Sequence, residues 1–350
     1  LEKVYSGFSP ILSITMSDPT NPAVNEANPF TAEIVERRVG TTPLLGFPLS
    51  LGAAIFGWTL PSGRATNLMD RFVELGGTFV DTADAYSSGM SEQIIGNWMR
   101  ERENRDRVVV STKVGRLPDH LGLAPRTIRE AVDASLVRLQ TDHIDVLYFH
   151  ADDKNVPIEE SLSAVGDLIQ AGKVRYLGAS NYSAPRLMEA RVASAAGLPR
   201  FEAVALEYSL MRRDIVEGNL AMIAQAQEVA IMPYFTLANG FLGRHRNIRA
   251  FTSSDIRARR AFSHAGRHGT QVLKALDNIA MGHGVDISAI ALAWVLAQPG
   301  VGIPIIGPES IRELEALMHA PMIVLTHAEI AELDKASAES QRTWTGSRKK

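Results

Sequence analysis

Asp81, Tyr86, Lys113 and His150 are the residues of this chain whose types and placement can do chemistry together. Each sits at or just past the carboxyl end of a short apolar run that reads as a strand: Thr78–Asp81, Val108–Lys113 and Ile144–His150. In parallel α/β proteins the carboxyl ends of strands are where chemistry is placed. A carboxylate, a phenol, an ammonium and an imidazole converging there point to proton transfer to or from a substrate oxygen. A free phenol, with a pKa of about 10, is a poor acid near neutrality. Lys113 on the neighbouring strand is expected to lower that value, and Asp81 to keep the buried ammonium charged. His150 could hold a carbonyl oxygen by a hydrogen bond. Singly, each residue is more often a satisfied structural group; four on three consecutive strands carry the reading.

These residues need a scaffold that brings strand ends to one face. After a small hairpin over residues 35–45, the pattern alternates strand and helix. Strands are expected at 49–56, 78–82, 107–113, 144–150, 174–180, 202–208, 231–235 and 302–306. Helices are expected at 65–75, 91–102, 124–139, 158–171, 184–196, 218–229, 269–284, 287–297 and 311–320. Eight β-then-α units, stretched once by a long loop after the seventh strand, favour a closed (β/α)8 TIM barrel. An open doubly wound sheet would want a glycine fingerprint after its first strand, and Leu51–Gly57 lacks that spacing. Two Rossmann-like domains would need a linker, and none divides the chain. The expected organisation is a mobile tail over residues 1–30, one barrel over 31–340 and a polar tail over 341–350. Anything before Met16 reads as an expression remnant or an upstream extension.

Composition narrows the function. The chain has 350 residues, no cysteine and a formal net charge of −3. Disulfides, thiolate nucleophiles and cysteine-based metal sites are excluded, and a cytoplasmic setting is the expectation. A charge so near neutral does not favour nucleic acid or an acidic membrane as partner. No apolar run is long enough to span a bilayer, so no membrane partner is expected. The histidines are scattered, and no ligand pair at helical spacing stands on one face with a carboxylate, so no metal is expected. The expected partner is a small carbonyl compound, with homo-oligomerisation left open.

Several longer blocks resemble the aldo-keto reductase family, over about Thr31 to Ala338. Phe79–Tyr86 followed by Ser91–Gly96 is similar to that family's second-strand signature, and Ser111-Thr-Lys113 to its third-strand one. Leu147–His150 leading into Pro157–Leu162, and the block Gly172–Asn181, match as well. The resemblance implies that Tyr86 is the general acid, that Lys113 and Asp81 tune it, and that His150 orients the carbonyl. It also implies hydride transfer from a nicotinamide cofactor lying across the barrel mouth. The overall pattern looks closest to the family's longer-chain bacterial and sugar-processing branches.

The resemblance assigns the cofactor side too. Ser180 and Asn181 would hold the nicotinamide amide, and Tyr234 would stack on its ring. Ala205 stands where relatives commonly have a glutamine for the same amide. Gly57, Trp58, Thr59, Leu237, Gly307, Ser310, Arg312 and Glu313 complete the expected cofactor contacts. NADP(H) is expected ahead of NAD(H) on family grounds. Against it, Glu309 and Glu313 stand where relatives often carry groups that grip a 2′-phosphate, although Ser310 and Glu313 also fit a helix cap. The segment Gly243–Gly269 holds Arg244, Arg246, Arg249, Arg257, Arg259, Arg260 and Arg267, of which one or two would clamp the pyrophosphate. A single-strand nucleic-acid binder would want more stacking aromatics among them than Phe251 and Phe262. Trp58, Tyr86 and Phe149 are the expected substrate walls, with Met211, Arg212 and Arg213 at the rim. Two rival readings stand beside reduction of an aldehyde, ketone or keto-sugar. One is a cofactor-sensing regulatory subunit, similar to potassium-channel β-subunits. The other is a lyase using Lys113 as a Schiff base.

Overall fold

The structure is a computed structural model that describes residues 34–243 and 256–338, without the side chains of 256 and 257. The two expected tails, and Arg244, Arg246 and Arg249 of the long loop, lie outside the described residues, as does the side chain of Arg257.

A short antiparallel hairpin, β1 (Arg37–Arg38) with β2 (Leu45–Gly46), opens the described chain. It packs against the barrel: Val39 joins the inner core, and the Arg37 guanidinium donates to the carbonyls of Val301 at 2.7 Å and Leu296 at 2.6 Å.

The barrel strands are β3 (Ser50–Gly52), β4 (Phe79–Asp81), β5 (Val109–Val114), β6 (Ile144–Phe149), β7 (Val174–Ser180), β8 (Phe201–Glu207), β9 (Ala230–Tyr234) and β10 (Ile305–Ile306). All eight are parallel in the order β10-β3-β4-β5-β6-β7-β8-β9. The ring closes through a single bridge between Ile231 of β9 and Val301, just ahead of β10. There Ile231 donates to the Gly300 carbonyl at 3.0 Å, and Gly302 donates back to Ile231 at 2.8 Å. The architecture is the expected (β/α)8 barrel with an amino-terminal hairpin.

Strand alternation divides the core in two. On β6, Val146 and Tyr148 face the barrel interior, while Leu147 and Phe149 face the surrounding helices. The Tyr148 ring lies against Gly178 of β7, where an added Cβ would come within 2.4 Å of it. The helices are α1 (Ser62–Glu74), α2 (Met90–Arg102), α3 (Pro125–Leu139), α4 (Ile158–Gln170), α5 (Ala184–Ala195), α6 (Asn219–Ala226), α7 (Ile256–Phe262), α8 (Arg267–His283), α9 (Ile287–Leu296), α10 (Ile311–Met318) and α11 (His327–Ser337). Most outer helices carry a buried stripe at helical spacing, whereas α9 is buried on all sides. On α4, Ile158, Ser161, Leu162, Val165 and Leu168 form the buried stripe at spacings of three and four. Ser183, Asp286, Ser310 and Thr326 cap α5, α9, α10 and α11 through their side chains.

Three elements differ from the sequence reading. The first strand stops at Gly52 rather than Phe56, because residues 53–60 turn on themselves: Phe56 donates to the Ala53 carbonyl and Leu60 to that of Ile55. Helix α11 was not expected, although Thr326 and Glu329 form a complete capping box at its start. Helix α7 lies inside the segment read as an irregular loop.

Candidate active site

Backbone bonds that run past the strand ends fix the positions of the site residues. Thr82 donates to the Ser111 carbonyl, Asp84 to Lys113, His150 to Val114 and Asn181 to Ala205, all between 2.8 and 3.0 Å. Beyond β4 the chain enters a tight turn, and Tyr86 begins it. Ser87 and Ser88 have φ of 50° and 53°, a region that non-glycine residues enter only when the surroundings hold them. Here the Ser87 hydroxyl donates to the Phe56 carbonyl at 2.9 Å. Behind the turn, buried Glu92 accepts from Thr112 at 2.6 Å and from Arg138 at 2.7 Å. Asp84 is fully buried beside it; its carboxyl makes no hydrogen bond of good geometry, and the nearest donors are the Ala85 and Gly115 amides. Burial first, and then Glu92, raise the Asp84 carboxyl to about 7.

The four residues singled out in the sequence meet at this place. Lys113 Nζ donates to Asp81 Oδ2 at 2.5 Å and to the Thr82 carbonyl at 2.8 Å, while Ser111 donates to Asp81 Oδ1 at 2.8 Å. The Lys113 ammonium lies 5.3 Å from the centre of the Tyr86 ring. Burial pulls Lys113 down, but Asp81 and Tyr86 outweigh it and hold the ammonium above its ordinary value. For Tyr86 the expectation of an acidified phenol needs correcting. Burial pushes its hydroxyl up, the Lys113 charge pulls it back only in part, and the net shift is upward. His150 meets Tyr86 edge to face, with centroids 5.8 Å apart. Burial, then Lys113 and Arg116, lower the imidazole to about 3, so it is neutral at any working pH. Its Nδ1 is buried with no hydrogen-bond partner among the described residues.

These groups line a cavity of about 350 Å³ at the carboxyl ends of the strands. Ser180, Asn181, Tyr234 and Leu237 line it too, as do Arg260, Gly307 and Glu313. Asn181, with φ of 61°, accepts from the Tyr234 hydroxyl at 2.5 Å and donates to the His150 carbonyl at 3.0 Å. One side-chain network therefore links the ring of Tyr234 to the strand end bearing His150. A cavity lined by an aromatic ring, amide and hydroxyl groups and a cation fits a nicotinamide dinucleotide. Ala205, by contrast, is buried in the barrel interior and offers no polar group to it.

Several other expected residues fall elsewhere. Phe149 is not a substrate wall. It is fully buried, points away from the barrel axis and packs edge-on against Phe201 at 6.0 Å. Gly57 and Trp58 line a shallow neighbouring cleft that shares Ala54 and Tyr86 with the main cavity. Thr59 is exposed and lines neither; Arg312 is exposed and outside the cavity. Ser310 also lies outside it, its hydroxyl accepting from the Glu313 amide, and the Glu313 carboxylate accepts from the Glu309 amide at 2.9 Å. Met211 packs on the core, and Arg213 is tied to Glu217 and Ser337 over the Trp294 ring, so neither forms a rim. Arg116, which the sequence reading passed over, lines the cavity. Its only signal was a basic residue three positions past Lys113.

A parallel barrel carrying an ion-paired lysine, a tyrosine and a neutral histidine at the head of a dinucleotide-sized cleft defines an oxidoreductase acting on carbonyl groups. Residues 48–338 match the sequence model of the Aldo/keto reductase family, which spans the whole barrel. The chain belongs to that family, and its activity is nicotinamide-dependent reduction of a carbonyl to the alcohol. Among its relatives is norsolorinic acid reductase B of Aspergillus parasiticus, 32% identical over 83% of this chain and 80% of that protein. An aryl-alcohol dehydrogenase of Pestalotiopsis microspora is 33% identical over 82% and 78%, respectively. The aldo-keto reductase ausK of Aspergillus calidoustus is 34% identical over the same shares. These relatives are fungal and lend no support to the expected likeness to the bacterial branch.

Proposed function

We propose that this chain reduces aromatic aldehydes or ketones, with Tyr86 as the general acid and NADP(H) as the preferred dinucleotide. The observation that carries the acid assignment is the meeting of Tyr86 and His150 in front of the Lys113–Asp81 pair. When bound, the cofactor supplies the hydride. The residues of the chain do the rest. A carbonyl oxygen between the Tyr86 hydroxyl and the neutral His150 ring is oriented by both. The phenol keeps its proton in the resting site because burial disfavours the phenolate. As negative charge gathers on the substrate oxygen, the proton moves to it, and the Lys113 charge steadies the phenolate left behind. Asp81 holds that ammonium charged and in place.

For the cofactor, Ser180 and Asn181 are read as the holders of the carboxamide and Tyr234 as the stacking ring. NADP(H) is favoured because Arg260 lines the cleft while Glu313 is engaged in closing the start of α10. NAD(H) is the second reading, since the Glu313 carboxylate still lines the same cleft and suits a free ribose hydroxyl. An aromatic substrate is favoured by the printed names of the relatives and by Trp58, which is 55% exposed in the cleft beside Tyr86.

Fluorescence titration with NADPH and NADH, followed by a panel of aryl aldehydes, aryl ketones and keto-sugars read at the nicotinamide absorbance, tests both parts. Turnover of aryl carbonyls with tighter NADPH binding supports the reading. Retained cofactor with no turnover of any carbonyl would replace it by the sensor reading. A borohydride-trapped adduct on Lys113 would replace it by the lyase.

A further inference from the structure

Arg116 is the one cation facing the reacting end of the cavity that the described structure does not neutralise. Lys113 is matched by Asp81, and His150 carries no charge. Three partly buried arginines elsewhere on the barrel have carboxylates: Arg105 with Asp145 at 2.8 Å, Arg138 with Glu92 at 2.7 Å and Arg186 with Asp152 at 2.8 Å. Arg116 makes no hydrogen bond or ion pair among the described residues, yet it lines the cavity together with Tyr86, Lys113 and His150. Its charge acts on Tyr86, His150 and Tyr234, the groups of the reacting end. Arg260 lines the same cavity, but its charge is not among those acting on these three groups. The nearby acid Glu207, which also acts on Tyr234, is not part of the cavity wall.

The segment that carries Arg116 is built to hold it there. Gly115 pairs with Leu121, and the Gly122 amide donates to the Gly115 carbonyl at 3.0 Å, closing a small loop directly after β5. Gly115 has φ of 100°, and a Cβ there would stand 2.8 Å from the Leu123 side chain, so the loop requires glycine at this point. Leu117 and Leu123 are buried on either side of it, and Leu123 donates to Asp153 at 2.9 Å. The loop fixes where the Arg116 backbone stands, while its side chain is exposed at the cavity wall and free to give a planar anion two parallel hydrogen bonds.

We propose that the preferred substrates are carbonyl compounds bearing a carboxylate, with the carbonyl at Tyr86 and His150 and the carboxylate on Arg116. The proposal rests on the carbonyl-reductase reading and names the substrate class of the same site. Arg116 is a specificity-determining residue in it, not a proton donor.

The test uses the cofactor-loaded full chain and matched probes: 3-formylbenzoate, 4-formylbenzoate and 4-oxobutanoate, each against its methyl ester. The parent is expected to favour at least one acid over its ester in kcat/KM by about tenfold or more, mainly through KM. Arg116→Gln should cut that acid-to-ester ratio about tenfold, Arg116→Lys should restore part of it, and raised salt should weaken it in the parent. Benzoate binding, followed by tryptophan fluorescence, should weaken in parallel in Arg116→Gln. Equal handling of acids and esters by the parent, or a ratio unchanged in Arg116→Gln, overturns the proposal while leaving carbonyl reduction standing. Reduction of neither acids nor esters removes the reading beneath it.

Discussion

The rings of Tyr86 and His150 stand at 86° to one another with their centroids 5.8 Å apart, so the two groups share one wall of the cavity. The arrangement pairs an imidazole that stays neutral with a phenol that stays protonated. Burial, the first cause of both shifts, has opposite signs for the two because it disfavours the charged form of each.

Tyr86→Phe keeps the ring contact with His150 and removes the hydroxyl. Carbonyl reduction is expected to fall by roughly 10²–10⁴-fold in kcat, while dinucleotide affinity stays within about twofold. Single-turnover absorbance and fluorescence titration of the same preparation check the two halves separately.

Lys113→Met leaves the Asp81 carboxylate buried without its cation. Removing one partner of such a pair costs about 3–5 kcal/mol, which a urea midpoint reads directly. The double substitution Lys113→Met with Asp81→Asn is expected to recover much of that stability and none of the activity. Recovery of both would mean that the lysine is a brace and nothing more.

His150 gives the fold an acid-side weakness. Its pKa is near 3 in the fold and near 6.5 in the free side chain. On lowering the pH through 6.5 the unfolded chain takes up the proton first, so the stability it contributes is complete above 6.5 and is lost progressively toward 3. His150→Gln should flatten the dependence of the denaturation midpoint on pH between about 4.5 and 6.5.

Asp84 acts in the opposite sense. Its carboxyl is raised from 3.8 to about 7, so the fold holds a proton that the unfolded chain has already released. The contribution is complete below 3.8 and declines as pH rises to 7. Asp84→Asn keeps the uncharged shape and escapes that decline. Its melting temperature relative to the parent should therefore be higher at pH 8 than at pH 5, and equal differences at both would remove the assigned cause.

Much of this was legible in the residues, and the failures have physical reasons. The strand-end groups stood out because each closes an apolar run, and the helix stripes because burial repeats every three to four residues. Phe149 was misplaced by neglecting parity: if His150 faces the mouth, Tyr148 and Val146 share the inner side of β6 and Phe149 must point outward. The Tyr86 shift was misjudged because sequence shows which charge is near a phenol and not how much water has been removed from it. Helix α11 had its signal in Thr326 and Glu329 and was simply not read. Arg116 had almost none, since its place depends on a loop closed by Gly115 and Gly122.

Seven of the eight joints around the barrel are ladders of paired strands, and the eighth is the lone bridge at Ile231 and Val301. A ring parts where it is held by the fewest bonds, so the amides of Ile231 and Gly302 should exchange with solvent before those of β6 and β7. The strands on either side of that seam lead into Tyr234 and into Gly307, and both residues line the cleft. A dinucleotide that touches both sides of the seam should therefore slow exchange there.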